Sequence, residues 1–159
     1  MAHEGMVHAL HEAHRVLKPG GALVDLRPEP KHRRVGLGEM KRWRLAGVMR
    51  ERFDDDRAAN HAVKRVVREG LFCLETRVAF EADRVMDTMQ DFRVWLDDFI
   101  RLGKTMPSHT WLVQRLERAL KKERADTKIV VRGPMMLNVM TKLGDFAIGS
   151  LAVRPPAQS

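Results

Sequence analysis

A helix that stops at Lys18-Pro19-Gly20-Gly21 and gives way at once to the apolar run Ala22-Leu23-Val24-Asp25-Leu26 constrains this 159-residue chain more than any other feature. Met6, Leu10, Ala13 and Leu17 recur at helical spacing and give a helix over 4–17 one apolar stripe. Pro19 cannot continue the helical ladder, and the glycines accept a positive φ. The run 22–26 has almost no polar alternation, which is the signature of a strand buried on both faces. Arg27-Pro28-Glu29-Pro30 ends it. Helix, tight turn and buried strand form the second half of a β–α–β unit, so the chain is expected to be α/β.

Further along, 31–53 is crowded with basic residues and interrupted by Gly36, Gly38 and Gly47, which suggests a loop and an irregular or partly extended stretch. Asp54-Asp55-Asp56 supplies an N-cap and dipole-compatible charge for a second helix, whose apolar face is Ala59, Ala62, Val63, Val66 and Val67 before Gly70. Alternation over 71–85 suits a strand. Thr88 and Asp91 form a capping box for a third helix with the stripe Met89, Phe92, Leu96, Phe99 and Ile100, closed by Gly103. Ser108 caps a fourth helix carrying Leu112, Val113, Leu116 and Leu120. Residues 128–132 read as a strand, Gly133-Pro134 as a bulge or break, and 135–140 as its continuation.

The segment His11–Pro28 resembles the region around the fifth strand of class I S-adenosylmethionine-dependent methyltransferases. The match is Arg15, Val16, Leu17, Lys18, Pro19, Gly20 and Gly21, followed by Ala22-Leu23-Val24. The resemblance implies a partial Rossmann-like methyltransferase sheet: strand five plus a C-terminal antiparallel strand pair, with about four helices. It also implies that 128–140 inserts between the strands at 22–27 and 76–85. Residues 1–142 then form the C-terminal portion of a methyltransferase domain, and 143–159 a loosely held tail. The two helices between the last strands, 88–122, exceed the family's minimal pattern.

In that family the cofactor sits on a glycine-rich turn after the first strand and an acidic residue at the end of the second. Neither has a counterpart in this sequence. Lys18–Gly21 leads into a strand and so lies at the N-terminal edge of a parallel sheet, whereas ligands bind outside the C-terminal edge. No residue is therefore assigned to catalysis, to cofactor binding or to metal binding. S-adenosylmethionine is expected only in a complete domain, and activity is not expected of the chain alone. The implied partner is a missing N-terminal half or a complementary chain, with self-association through the strand-five edge as a further route. Candidate substrate-facing residues are Asp25, whose carboxylate can orient a nucleophile or accept its proton, and Arg27, which can hold an anionic group. The alternative is that both simply end and solvate the strand.

Charge leaves other functions open. Lys and Arg outnumber Asp and Glu by 29 to 21, a net charge of +8, which favours acidic partners. One basic cluster is Lys41, Arg42, Arg44, Arg50 and Arg52; another is Arg115, Arg118, Lys121, Lys122 and Arg124. With no tyrosine and few aromatics there is no sign of a base-stacking platform, so nucleic-acid binding would be non-specific. A non-enzymatic binding or assembly module is the other alternative.

Further chemistry is weakly encoded. His3, His8, His11 and His14 crowd the first helix, but His-Glu-Ala-His is one residue short of the zinc-protease spacing. Gly36-Leu37-Gly38 lacks the third glycine of a phosphate cradle, and no serine stands in a nucleophile elbow. The single Cys73 and the absence of a long apolar stretch or a secretory leader suggest a cytoplasmic protein without a membrane span.

Overall fold

A computed structural model describes residues 2–39, 42–105 and 109–144. In chain order the elements are α1 (Ala2–Val16), β1 (Ala22–Pro28), β2 (Arg34–Glu39), β3 (Arg42–Val48), α2 (Asp54–Arg68), β4 (Phe72–Met86), α3 (Met89–Arg101), α4 (Thr110–Leu120) and β5 (Ile129–Lys142). The fold is mixed α/β, with an open antiparallel sheet in the order β1–β5–β2–β3 and β4 paired to β5. β5 thus neighbours both β1 and β4, as expected for 128–140.

The described residues of Met1–Leu26, Ala58–Val78 and Leu137–Ser159 form one compact unit. Its core is Val63, Val66, Phe72 and Met140, with Leu10, Leu17 and Leu23 packed against them. The stripe expected on α1 is half-buried, and Val7 is buried. The turn after α1 is fastened to the end of β5. The Gly20 amide donates to the Lys142 carbonyl (3.0 Å), and the Lys142 amide donates to the Gly21 carbonyl (2.8 Å). Lys142 Nζ reaches the Leu17 carbonyl at 2.9 Å, satisfying an acceptor the helix end leaves open. Gly20 has φ +76°, which is why glycine stands there.

Residues Arg27–Arg57 and Ala79–Met136 form the second unit. Its core includes Val35, Leu37 and Ala46 from β2 and β3, Phe92 and Leu96 from α3, Leu112 and Leu116 from α4, and Ile129 and Val131 from β5. Burial of each such side chain contributes about 1.5–3 kcal/mol. The capping box on α3 is formed: the Asp91 amide donates to Thr88 Oγ1 (3.1 Å) and the Thr88 amide donates to Asp91 Oδ2 (3.1 Å). Gly103, at φ +68°, follows the end of that helix.

The structure corrects several expectations. The stretch 31–53, expected to be a loop and an irregular or partly extended stretch, is extended over β2 and β3, which pair as regular strands, so among the described residues the sheet has five strands and not three. Its glycines read as interruptions, yet they allow close approach. A Cβ at Gly36 would lie 2.1 Å from the Trp43 ring, and one at Gly47 would lie 2.7 Å from Leu112 and 2.9 Å from Trp111. Gly36 also marks a register shift in β2. Gly133-Pro134 does not break β5, which runs uninterrupted from Ile129 to Lys142. The missing N–H of Pro134 falls where β1 has ended and β2 has not begun, and its carbonyl accepts from the Glu29 amide at 3.0 Å.

β1 is not buried on both faces, since Val24 is 61% and Leu26 57% exposed. Asp54, Asp55 and Asp56 lie inside the first turn of α2, where they complement the helix dipole and do not cap it. Ser108 lies outside the described residues; α4 begins at Thr110 with His109 in the cap position. Nearly all of the tail 143–159 also lies outside the described residues.

Candidate functional site

β1 carries the sequence-derived site residues, and the pleat divides it into two faces. Leu23, Asp25 and Arg27 alternate with Ala22, Val24 and Leu26, and only the first set is half-buried. Asp25 is engaged from β5: Asn138 Nδ2 donates to its Oδ2 at 2.7 Å, and Asn138 is itself 1% exposed. Arg27 lies close enough to Asp56 to favour that residue's ionised form. Lys104 and Arg33 act in the same sense, but burial outweighs all three and raises the Asp56 pKa.

Asn138 was not singled out from the sequence. The available signal was an amide set between Leu137 and Val139 in an apolar strand, since such a residue needs a hydrogen-bonding partner.

The other face of β1 presents Val24 and Leu26 to solvent. Among the described residues β1 pairs only with β5, so its second edge carries no strand. A strand with apolar side chains exposed on one face and backbone groups unpaired along one edge is a surface suited to a further layer of structure.

In both glycine-bearing segments backbone amides are engaged within the fold. In Lys18–Gly21 the Gly20 amide serves Lys142 and the Gly21 amide serves the Lys18 carbonyl at 2.8 Å. Gly38 donates to the Lys128 carbonyl at 2.9 Å, and Gly36 lies under the Trp43 ring.

Two histidines of α1, His11 and His14, serve surface pairing and packing. His11 Nε2 lies 3.2 Å from Glu69, and His14 meets the Phe72 ring edge-on at 5.3 Å. Cys73 is exposed, and the Glu75 carboxylate beside it, with a smaller effect of burial, pushes its thiol pKa up, opposite to what nucleophilic activation needs.

Two buried polar clusters in the second unit serve structure. Glu51 accepts from the Arg33 amide at 2.7 Å and from its guanidinium, which also lies over the Phe99 ring. Burial raises the Glu51 pKa against the pull of Arg33. His109, 3% exposed, accepts the Arg50 amide at Nε2 (3.2 Å), and Thr105 Oγ1 donates to the Arg50 carbonyl (2.5 Å). Desolvation lowers the His109 pKa.

No family model, no curated protein and no solved structure matches the chain. Among the described residues no helix is long and apolar enough to cross a membrane.

Proposed function

We propose that this chain forms the strand-five-onward portion of a class I S-adenosylmethionine-dependent methyltransferase domain, completed by an N-terminal segment or a complementary chain. The carrying observation is β1 itself. It follows the Lys18–Gly21 turn, pairs with β5 on one edge, and among the described residues leaves its other edge unpaired and the side chains of Val24 and Leu26 exposed. Both are what a missing set of parallel strands and their helices would cover. In a complete domain the cofactor supplies an activated methyl group, and the protein's contribution is positioning and, where needed, a general base. The contribution of this chain is the sheet half and the β1 residues Asp25 and Arg27 as candidate substrate-facing groups. A non-enzymatic assembly module rests on the same uncovered face, and cofactor binding separates the two readings.

The test is co-expression with the segment encoded upstream, which should add about 100 residues of the same domain. The co-purified pair should bind S-adenosylmethionine in calorimetric titration, the isolated chain should not, and Val24→Lys with Leu26→Lys should abolish pairing. A complex that forms without binding the cofactor would replace this reading with the assembly module. Tight cofactor binding by the isolated chain would overturn the assignment of the missing half.

A further inference from the structure

Arg42 and Arg44 from one basic cluster and Arg115, Arg118, Lys122 and Arg124 from the other, some seventy positions away in the sequence, line one groove of the second unit. β3 and α4 pack side by side, brought close by the absence of a side chain at Gly47. Between them lies a hollow of 480 Å³ lined by Arg44 from β3, by Arg115 and Arg118 from α4 and by Lys122 just past the end of that helix, together with Leu45, Ala46 and Ala119. Arg115 and Arg118 stand at i and i+3 on α4, so one helix face presents both, and Lys122 follows two residues after the helix ends. The groove does not end there. A second hollow of 480 Å³ shares Leu37 and Arg44 with the first and includes Glu123, and a third of 280 Å³ shares Gly38, Arg42 and Thr127 with the second and adds Arg124 and Lys128 beside the carboxylates Glu39 and Asp126. Arg124 pairs with Asp126 at 3.5 Å and Lys128 with Asp87 at 2.9 Å, so the free positive field is concentrated in the first hollow.

We propose that this groove binds single-stranded nucleic acid. Three hollows joined end to end suit a linear polyanion, where a compact anion would occupy one of them. The cations are mostly arginines, whose planar fork matches phosphate oxygens. Arg44 is paired with Glu123, but Arg115 and Lys122 have no ion pair among the described residues, so their field is directed outward.

Trp111 favours nucleic acid as the class of polyanion. It lies one turn before Arg115 on the same face of α4, is 42% exposed, and sits against Gly47, the residue after Ala46 of the first hollow. An exposed indole in line with a basic stripe offers a base a stacking surface beside its phosphate contacts, which an acidic peptide would not use. The low aromatic content of the sequence concealed this platform, because a single placed ring suffices. α4 is packed against the hairpin and does not project, so it is not built to enter the groove of a duplex. The inference is independent of the methyltransferase reading.

The experiment titrates the whole chain with a fluorescent single strand of about 16 nucleotides at several salt concentrations. Arg115→Glu/Arg118→Glu/Lys122→Glu should weaken binding on the order of a hundredfold and lower the slope of log K against log salt by about two, at roughly 0.7 per phosphate contact. A control of equal charge change, Lys64→Glu/Arg68→Glu/Arg84→Glu, should bind nearly as the parent does. All six side chains are exposed, so both variants should fold, as circular dichroism will register. The oligonucleotide should also quench tryptophan emission in the parent and much less in Trp111→Phe, while polyglutamate should neither quench nor compete. Equal losses in both triple variants, or no loss in either, would overturn the groove. Effective competition by polyglutamate would overturn the nucleic-acid class.

Discussion

Asn138, 1% exposed in β5, donates its side-chain amide to the Asp25 carboxylate of β1 at 2.7 Å. This bond links two strands whose register is also held at one end by the reciprocal backbone bonds of Lys142 with Gly20 and Gly21. Asp25 therefore has a structural duty on the half-buried face of β1, whatever part it plays toward a substrate. Asp25→Ala should cost about 1–3 kcal/mol, the penalty of leaving a buried amide without its acceptor. Urea denaturation of Asp25→Ala and of Asp25→Ala/Asn138→Leu checks this: the double variant should recover much of the loss. If the single variant is as stable as the parent, the pair is energetically idle.

On the opposite face of β1, Val24 and Leu26 contribute little to the stability of the chain because water already reaches most of their surface. Val24→Lys and Leu26→Lys should each change unfolding free energy by less than about 0.5 kcal/mol while reducing self-association seen in sedimentation. A large loss of stability would show that the face is covered within the folded chain and would remove the basis of the assembly argument.

His109 supplies a pH dependence whose sign is fixed by its environment. Burial holds its pKa below the ordinary 6.5, so the unfolded chain takes up a proton that the native chain refuses. The resulting stability is fully present above about 6.5 and is lost as pH falls from there toward the folded value. Raised pKa values at Glu51 and Asp56 act in the opposite sense at lower pH and are shared by parent and variant. Thermal melts between pH 8 and 5 should therefore show a steeper fall for the parent than for His109→Gln. Coincident profiles would show that His109 titrates as it does in the unfolded chain.

Gly47 is the contact point between β3 and α4, with a Cβ there meeting Leu112 at 2.7 Å and Trp111 at 2.9 Å. Gly47→Ala should cost about 1–3 kcal/mol through overpacking. Because Trp111 is partly exposed and Leu112 is fully buried, the strain should be relieved through the indole, and near-ultraviolet circular dichroism should record its displacement. An unchanged tryptophan signal with full stability would mean that the helix and strand separate at no cost.

Where the determinants were local, the sequence was sufficient. The stop at Lys18–Gly21, the Thr88–Asp91 capping box and the apolar stripes of α2, α3 and α4 depend on residues within a turn or two of one another, and each stands in the structure as its local chemistry requires. What it could not show were contacts between distant segments. Gly36 and Gly47 look like breakers until Trp43 and α4 are seen packed against them, and Gly133-Pro134 looks like a break until its neighbour strands are found to stop and start beside it. The exposure of Val24 and Leu26, the capture of Asp25 by Asn138 and the meeting of residues from two basic clusters on one groove belong to the same class. Periodicity reports which residues share a face of their own element. Only the packing of elements decides what that face meets.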